Sequence, residues 1–197
     1  MKPEIEAKFL SVDHDVIRAK LKELGSENIR PLTLMRRKNY DYPDFALEKR
    51  GGWVRVRDEG SKVTMSYKQL NDRGLHGTHE VELVVNDFDV ADGFLTAIGL
   101  RQDNYQETKR ESWRLDDVEI DLDEWPWIQP FIEIEGPSEE QVRDVADKLG
   151  LDWAAACHGS VEVAYQAEYD VTEEEIDHLP TIVFSDPPPA VLKKKAA

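Results

Sequence analysis

Three glutamate pairs, each with one residue between its members, recur along this chain: Glu4 and Glu6, Glu80 and Glu82, Glu133 and Glu135. The acidic run Glu119, Asp121 and Asp123 has the same spacing. Successive side chains of a β-strand point to opposite faces, so residues two apart share one face. Two carboxylates side by side repel, and a divalent cation coordinated by their oxygens relieves that repulsion. Basic residues repeat the device in Arg55 and Arg57, and in Arg110, Ser112 and Arg114, while Lys68 shares its face with Thr64 and Ser66. Guanidinium and ammonium groups hold phosphate oxygens. Acids for metal ions and bases for a polyanion would make one composite site.

Such a site needs strands to carry it. At the N-terminus Glu4, Glu6 and Lys8 alternate with Ile5, Ala7 and Phe9. Asp13 or Ser11 can cap a helix running to about Leu24, stopped by Gly25. Residues 28–40 read as extended, but Arg36 and Lys38 lie on one face and Arg37 and Asn39 on the other, and neither face is cleanly apolar. The orientation of these bases stays open. Alternating strands follow at 53–57 and 63–68 across the turn Asp58-Glu59-Gly60-Ser61, then at 79–85 after a glycine-containing loop at 71–78. A helix at 89–98 leads to strands at 104–115, 118–123 and 131–135. Helices are expected from Ser138 to Leu149, at about 159–168, and at 172–178.

Composition narrows the class. The 197 residues are 40% hydrophobic and 34% charged, which suits a soluble globular chain with a sizeable core. A formal net charge of −16 argues against general nucleic-acid binding. Cys157 is the only cysteine, so neither an internal disulfide nor a Cys-based zinc cluster is available. The N-terminal charges give no signal peptide and no run approaches a membrane span, so the expected location is cytoplasmic. His76, His79, His158 and His178 are scattered and read as surface groups. Residues 1–180 are taken as one domain, with 151–180 a helical extension, and the Pro/Lys-rich stretch 181–197 as a disordered tail.

Alternation with one wet face is normal in antiparallel sheets, so any single Glu-x-Glu strand could be solvated. Here at least six strands pair an apolar face with a charged one. If the sheet closes into a barrel, either the apolar faces fill it or they point outward and the charges line a lumen. Several amphipathic helices with apolar sides to bury favour the second arrangement.

The run Glu4-Ile5-Glu6-Ala7-Lys8 resembles the Glu-x-Glu-x-Lys signature of the CYTH superfamily, the triphosphate tunnel metalloenzymes. The resemblance continues in order through Asn39-Tyr40-Asp41-Tyr42-Pro43-Asp44, Arg55-x-Arg57, Lys68, Glu80-x-Glu82, Arg110, Leu122-Asp123-Glu124 and Phe131-Ile132-Glu133-Ile134-Glu135-Gly136. It covers roughly residues 1–150. It implies an α+β fold: a closed eight-stranded antiparallel β-barrel around a tunnel, with helices packed outside. By the same resemblance Glu4, Glu6, Glu80, Glu82, Asp123, Glu133 and Glu135 would hold two divalent cations, Mg²⁺ or Mn²⁺. Lys8, Arg55, Arg57, Lys68 and Arg110 would bind the triphosphate, and Glu4, Glu6 and Lys8 form the catalytic signature. Asp121 and Arg114 are added because they share faces with matched residues. The family often has Lys-x-Arg where this chain has Thr108-Lys109-Arg110, and Lys109 has the wrong parity to point with Arg110.

The expected activity is metal-dependent hydrolysis of a small-molecule triphosphate, inorganic or organic, by a monomer or homodimer with neither nucleic acid nor membrane as partner. The same tunnel parts would serve a class IV adenylyl cyclase, which also needs a nucleobase pocket not identified in this chain. The reading from a different class is a non-catalytic binder of polyphosphate or nucleotide, for which so many carboxylates are superfluous.

Overall fold

The computed structural model describes residues 2–72 and 75–195, the side chains of residues 2 and 3 excepted. Part of the loop expected at 71–78 and the last two residues of the expected tail lie outside the described residues. An N-terminal segment forms β1 (Lys2–Pro3) and β2 (Glu6–Phe9), followed by helix α1 (His14–Glu23). Asp13, not Ser11, caps α1 by accepting from the amides of Asp15 and Val16. Next come β3 (Glu27–Asp41), β4 (Gly52–Asp58), β5 (Val63–Leu70), β6 (Thr78–Val85), α2 (Phe88–Ala97), β7 (Arg101–Leu115), β8 (Val118–Glu124) and β9 (Phe131–Glu135). Helices α3 (Glu139–Lys148), α4 (Glu162–Glu168) and α5 (Glu173–Asp177) are interleaved late in the chain with β10 (Tyr169–Asp170), β11 (Thr181–Ile182) and β12 (Lys193–Lys194).

The main antiparallel path runs β1-β6-β5-β4-β3-β7-β8-β9-β2, beginning and ending on the N-terminal segment. Lys2 and Pro3 pair with Glu80 and His79, whereas Glu6 to Phe9 pair with Glu135 to Ile132. Among the described residues, Lys2 and Pro3 are the ones in register with β6, and Glu4 adds one amide bond to Thr78. The pairing therefore establishes a curled sheet, a half-barrel with helices outside, rather than the full closure that the resemblance implies.

The apolar faces point outward, as the amphipathic helices require. Ala7, Phe9, Ile120, Leu122, Ile132 and Ile134 form one buried layer with Ile17 and Leu21 of α1 and Val142, Val145 and Ala146 of α3. Phe88, Ala91 and Leu95 of α2 cover Tyr40 and Val56 in another. Each fully buried Ile or Leu contributes about 1.5–3 kcal/mol relative to exposure. This outward burial turns the even-numbered residues of β2, β5, β6 and β7, and the odd-numbered ones of β3, β4, β8 and β9, to the concave side.

The expectation of a disordered tail from residue 181 fails for residues 181–195. Strand β11 pairs in parallel with β7, and β12 pairs with β10. Ile182 and Leu192 join a third cluster with Trp125, Phe131, Tyr165, Tyr169 and Ile176. Proline content signalled an irregular backbone, but a few apolar residues suffice to dock it. Ile182→Ala should lower unfolding free energy by about 2–5 kcal/mol in denaturant titrations; an unchanged midpoint would restore the disordered reading.

Candidate active site

The concave faces enclose a cavity of about 690 Å³. Of the residues singled out from sequence, Glu4, Glu6, Lys8, Arg55, Arg57, Lys68, Glu80, Glu82, Arg110, Asp121, Glu133 and Glu135 all line it. Two do not. Asp123 faces the same side but is fully buried beneath Arg110, which takes up both its carboxylate oxygens. Arg114 has the parity of Arg110 but stands near the end of β7, opposite Glu119, and is exposed. A strand of fifteen residues outruns the cavity, so shared parity did not guarantee a shared site. Lys109 points outward as its parity requires, 3.6 Å from Glu124 and over the ring of Phe184.

One side of the cavity is an ionic lattice. Arg110 donates to Asp121 at 2.5 Å, to both oxygens of Asp123 at 2.7 and 2.5 Å, and to Glu133 at 2.6 Å. Lys8 bridges Glu6 at 2.9 Å and Glu133 at 3.2 Å. Burial alone would lower the Lys8 and Arg110 pKa values, but these carboxylates raise both above the ordinary range. Burial likewise opposes ionisation of Glu133, yet Lys8 and Arg110 hold its pKa well below the usual carboxylate value. Asp123 goes the other way: burial, only partly offset by Arg110, pushes it up to about 6.

The N-terminal seam carries a second arrangement. Lys68 donates to both oxygens of Glu4 at 3.0 and 2.9 Å and lies 3.6 Å from Glu80. Burial and the hydrogen-bonded neighbour Glu80 push Glu4 up to about 8 despite Lys68. Although burial acts to raise Glu80 too, its bond with Glu4, together with Lys68 and Arg55, holds it at about 2. On β2, β9 and β8, Glu6, Glu135 and Glu119 are cross-strand neighbours. Glu135, though its side chain still reaches solvent, is pushed up to about 7 by the surrounding protein and by Glu6. Among the described residues no three acidic, His or Cys side chains are already gathered as cation ligands. The donor chemistry nevertheless fits a hard divalent ion, because paired carboxyls that hold a proton can exchange it for a metal.

The opposite wall, β3 to β5, is basic. Arg55 donates to Glu80 at 3.1 Å, and its buried Nε has no partner. Burial and the neighbouring Arg57 lower its pKa to about 10. Arg57 is oriented by Glu59, which accepts from its Nε at 2.9 Å and its Nη2 at 2.6 Å. Glu59 also accepts from Arg30 at 2.6 Å. Arg30, Arg37, Glu59 and Lys62 all line the cavity and were not singled out from sequence. On β3 the parity is now resolved: Arg37 and Asn39 face inward. Arg36 and Lys38 face outward against the ring of Phe88, with Lys38 also 2.5 Å from Asp92. The mixed faces of residues 28–40 held no signal strong enough to choose; the packing of α2 does. Glu59 sat unremarked inside its turn signal, and nothing local in sequence says that a turn glutamate will be 1% exposed.

Burial acts to raise the Glu59 pKa, but Arg57 and Arg30 depress it to about 2 from 4.5. A depressed carboxylate contributes stability that is present above pH 4.5 and lost as pH falls towards 2. Glu59→Gln should therefore remove a term of about 3 kcal/mol at neutral pH and flatten the wild-type decline in acid. Thermal melts of both proteins from pH 2 to 7 test this, and parallel profiles would refute it.

Comparison with known proteins adds to this geometry. A model of the CYTH domain matches residues 2–155. No curated protein sequence matches the chain. Among solved structures, a protein from Pyrococcus horikoshii is 23% identical, with 78% of this chain and 93% of that one covered and a TM-score of 0.65. A candidate adenylate cyclase from Vibrio parahaemolyticus is 17% identical over 84% of this chain and 98% of its own, with a TM-score of 0.73. A candidate adenylyl cyclase from Hippeastrum, described as having a dominant triphosphatase activity, is 15% identical over 83% and 95%, with a TM-score of 0.58. At these identities the likeness is one of fold. The family match spans every strand that contributes a charged face to the cavity, and on that extent the chain belongs to the CYTH domain family.

Proposed function

We propose that this protein is a divalent-metal-dependent triphosphatase acting on a triphosphate drawn into the cavity. The observation that carries the reading is the division of one cavity into a basic wall, with Arg37, Arg55 and Arg57, and facing rows of paired carboxyl groups. The described fold of the Hippeastrum neighbour, with its triphosphatase activity, is compatible with it. In this reading the N-terminal segment is the seam that closes the barrel round the substrate. Its support is that the Glu4 amide donates to the Thr78 carbonyl at 2.9 Å and the Gly136 amide to the Ile5 carbonyl at 3.1 Å.

Glu4, Glu6, Glu80, Glu82, Glu133 and Glu135 are the residues that would hold Mg²⁺ or Mn²⁺, two ions being the number that the acidic pairs suggest. When bound, such ions offset phosphate charge and lower the pKa of coordinated water. Arg55, Arg57 and Lys68 bind and orient the phosphate oxygens in line with the attacking water. Water oxygen forms a bond to the terminal phosphorus as the bridging P–O bond breaks. Orthophosphate leaves, the remaining phosphate chain keeps the electron pair, and a wall carboxylate accepts the proton. Arg110 and Lys8, whose nitrogens are occupied by Asp121, Asp123, Glu133 and Glu6, hold the acidic rows in register. A direct phosphate-binding role for Arg110 is thereby replaced by one of positioning. Local basicity also has to overcome the long-range repulsion of a chain with net charge −16.

Purified protein given Mg²⁺ or Mn²⁺ should release orthophosphate from tripolyphosphate or an organic triphosphate. Cyclic AMP and pyrophosphate from ATP would instead establish a cyclase, and tight binding without turnover a binder. Glu4→Gln and Glu80→Gln should each lower kcat about a hundredfold or more while melting cooperatively; unchanged rates in both would sink the metal assignment. Arg57→Ala should act mainly on KM, raising it by about tenfold or more through the lost charge-assisted bond.

A further inference from the structure

Among the described residues, Arg37 is a cavity-lining cation without an ion-pair partner. It lies on β3 between Arg57 of β4 and Gln106 of β7, facing inward. The other basic residues of the cavity wall have carboxylates at hand: Arg55 has Glu80, Arg57 has Glu59, Lys68 has Glu4, and Arg110 has three. Among the described residues no carboxylate lies within ion-pairing distance of Arg37, which is only 8% exposed. Its Nη2 donates to Thr108 Oγ1 at 2.8 Å, and its buried Nε has no partner.

The residue is nevertheless held firmly. Its guanidinium lies 4.7 Å from the ring centroid of Trp125, which meets Tyr165 edge-on at 6.5 Å. Both aromatics belong to the cluster built by the C-terminal extension, the part of the chain that also supplies Ile182 and Leu192. A cation–π contact and one hydroxyl acceptor fall well short of the cost of desolvating an unpaired charge. Arg55, Arg57 and Arg110 add electrostatic repulsion to that cost, and the more distant Asp123 offsets only part of it. Fixed orientation, a charge with no ion-pair partner and a buried donor without an acceptor, on a residue that lines the cavity, are the properties of an anion ligand prepared before its anion arrives.

We propose that Arg37, held by Trp125 and Thr108, is an additional phosphate ligand that extends the basic wall by one subsite and favours chains of three or more phosphoryl groups over diphosphate. The inference rests on the triphosphatase reading. Neighbouring strands are about 4.8 Å apart, so Arg37 stands one strand beyond Arg57 and reaches a phosphoryl group further along the same chain. The docked C-terminal extension acquires a role in this way: it supplies the aromatic support on which the extra guanidinium rests.

The test is Arg37→Met, read by ligand-induced melting shifts and by binding titration with tripolyphosphate and with diphosphate, in EDTA and again in Mg²⁺. Affinity for tripolyphosphate should fall about tenfold or more, diphosphate binding should be nearly unchanged, and the unliganded variant should melt no lower than wild type because a buried repulsion is gone. Arg37→Lys, which keeps charge but loses the planar fork, should recover part of the affinity and also serves if the methionine variant does not fold. Unchanged tripolyphosphate affinity, an equal loss for both ligands, or a lower unliganded melting temperature with the ligand shift intact would each overturn the assignment. Wild-type protein that binds tripolyphosphate in neither condition would refute the triphosphatase reading itself, a failure distinct from that of Arg37.

Discussion

Through one guanidinium, Arg110 ties three adjacent strands together, donating from β7 to Asp121 and Asp123 on β8 and to Glu133 on β9. Lys8 then continues the lattice from Glu133 to Glu6 on the N-terminal strand. A sheet that turns charged faces inward can persist only if those charges compensate one another at close range, because leaving one buried partner alone costs several kcal/mol. The outward apolar faces make the inversion favourable, since α1, α2 and α3 cover them with well-buried layers. Ionic lattice and external helices therefore depend on each other. Without the helices the apolar faces would turn inward and expel the charges, and without the lattice the interior would hold like charges with nothing to offset them.

Compensation is incomplete in two places, and both bear on chemistry. On the acidic side, Glu4 and Glu80 crowd the single ammonium of Lys68, and burial with Glu80 pushes Glu4 up to about 8. On the basic side, Arg55 and Arg37 retain buried donors without acceptors. A cavity optimised only for stability would close such gaps, so residual imbalance of both signs across one volume suits a ligand that brings both signs with it. A metal–polyphosphate complex has that character.

The C-terminal extension shows how a segment largely beyond the family match can reach the cavity without supplying any of its charged strands. Its contact runs through Trp125, a residue inside the matched region that faces the extension's aromatic cluster on one side and Arg37 on the other. Glu162, Glu173 and Asp177 from the same extension also line the cavity.

Sequence alone determined which residues of each strand share a face, because a two-residue period is a local property: Glu4 with Glu6, Glu80 with Glu82 and Arg55 with Arg57 had to share faces wherever the strands went. The ordered motifs then identified the family. Parity could not choose between the two sides of residues 28–40, where both carry bases, and it could not say that Arg114 lies past the end of the cavity while Arg110 lies inside it. Nor could it find Glu59 as the carboxylate that orients Arg57, or show that a proline-rich tail docks through Ile182 and Leu192. Those outcomes were decided by tertiary structure, because each depends on which distant element covers a given face, and coverage is a property of packing that no local period encodes.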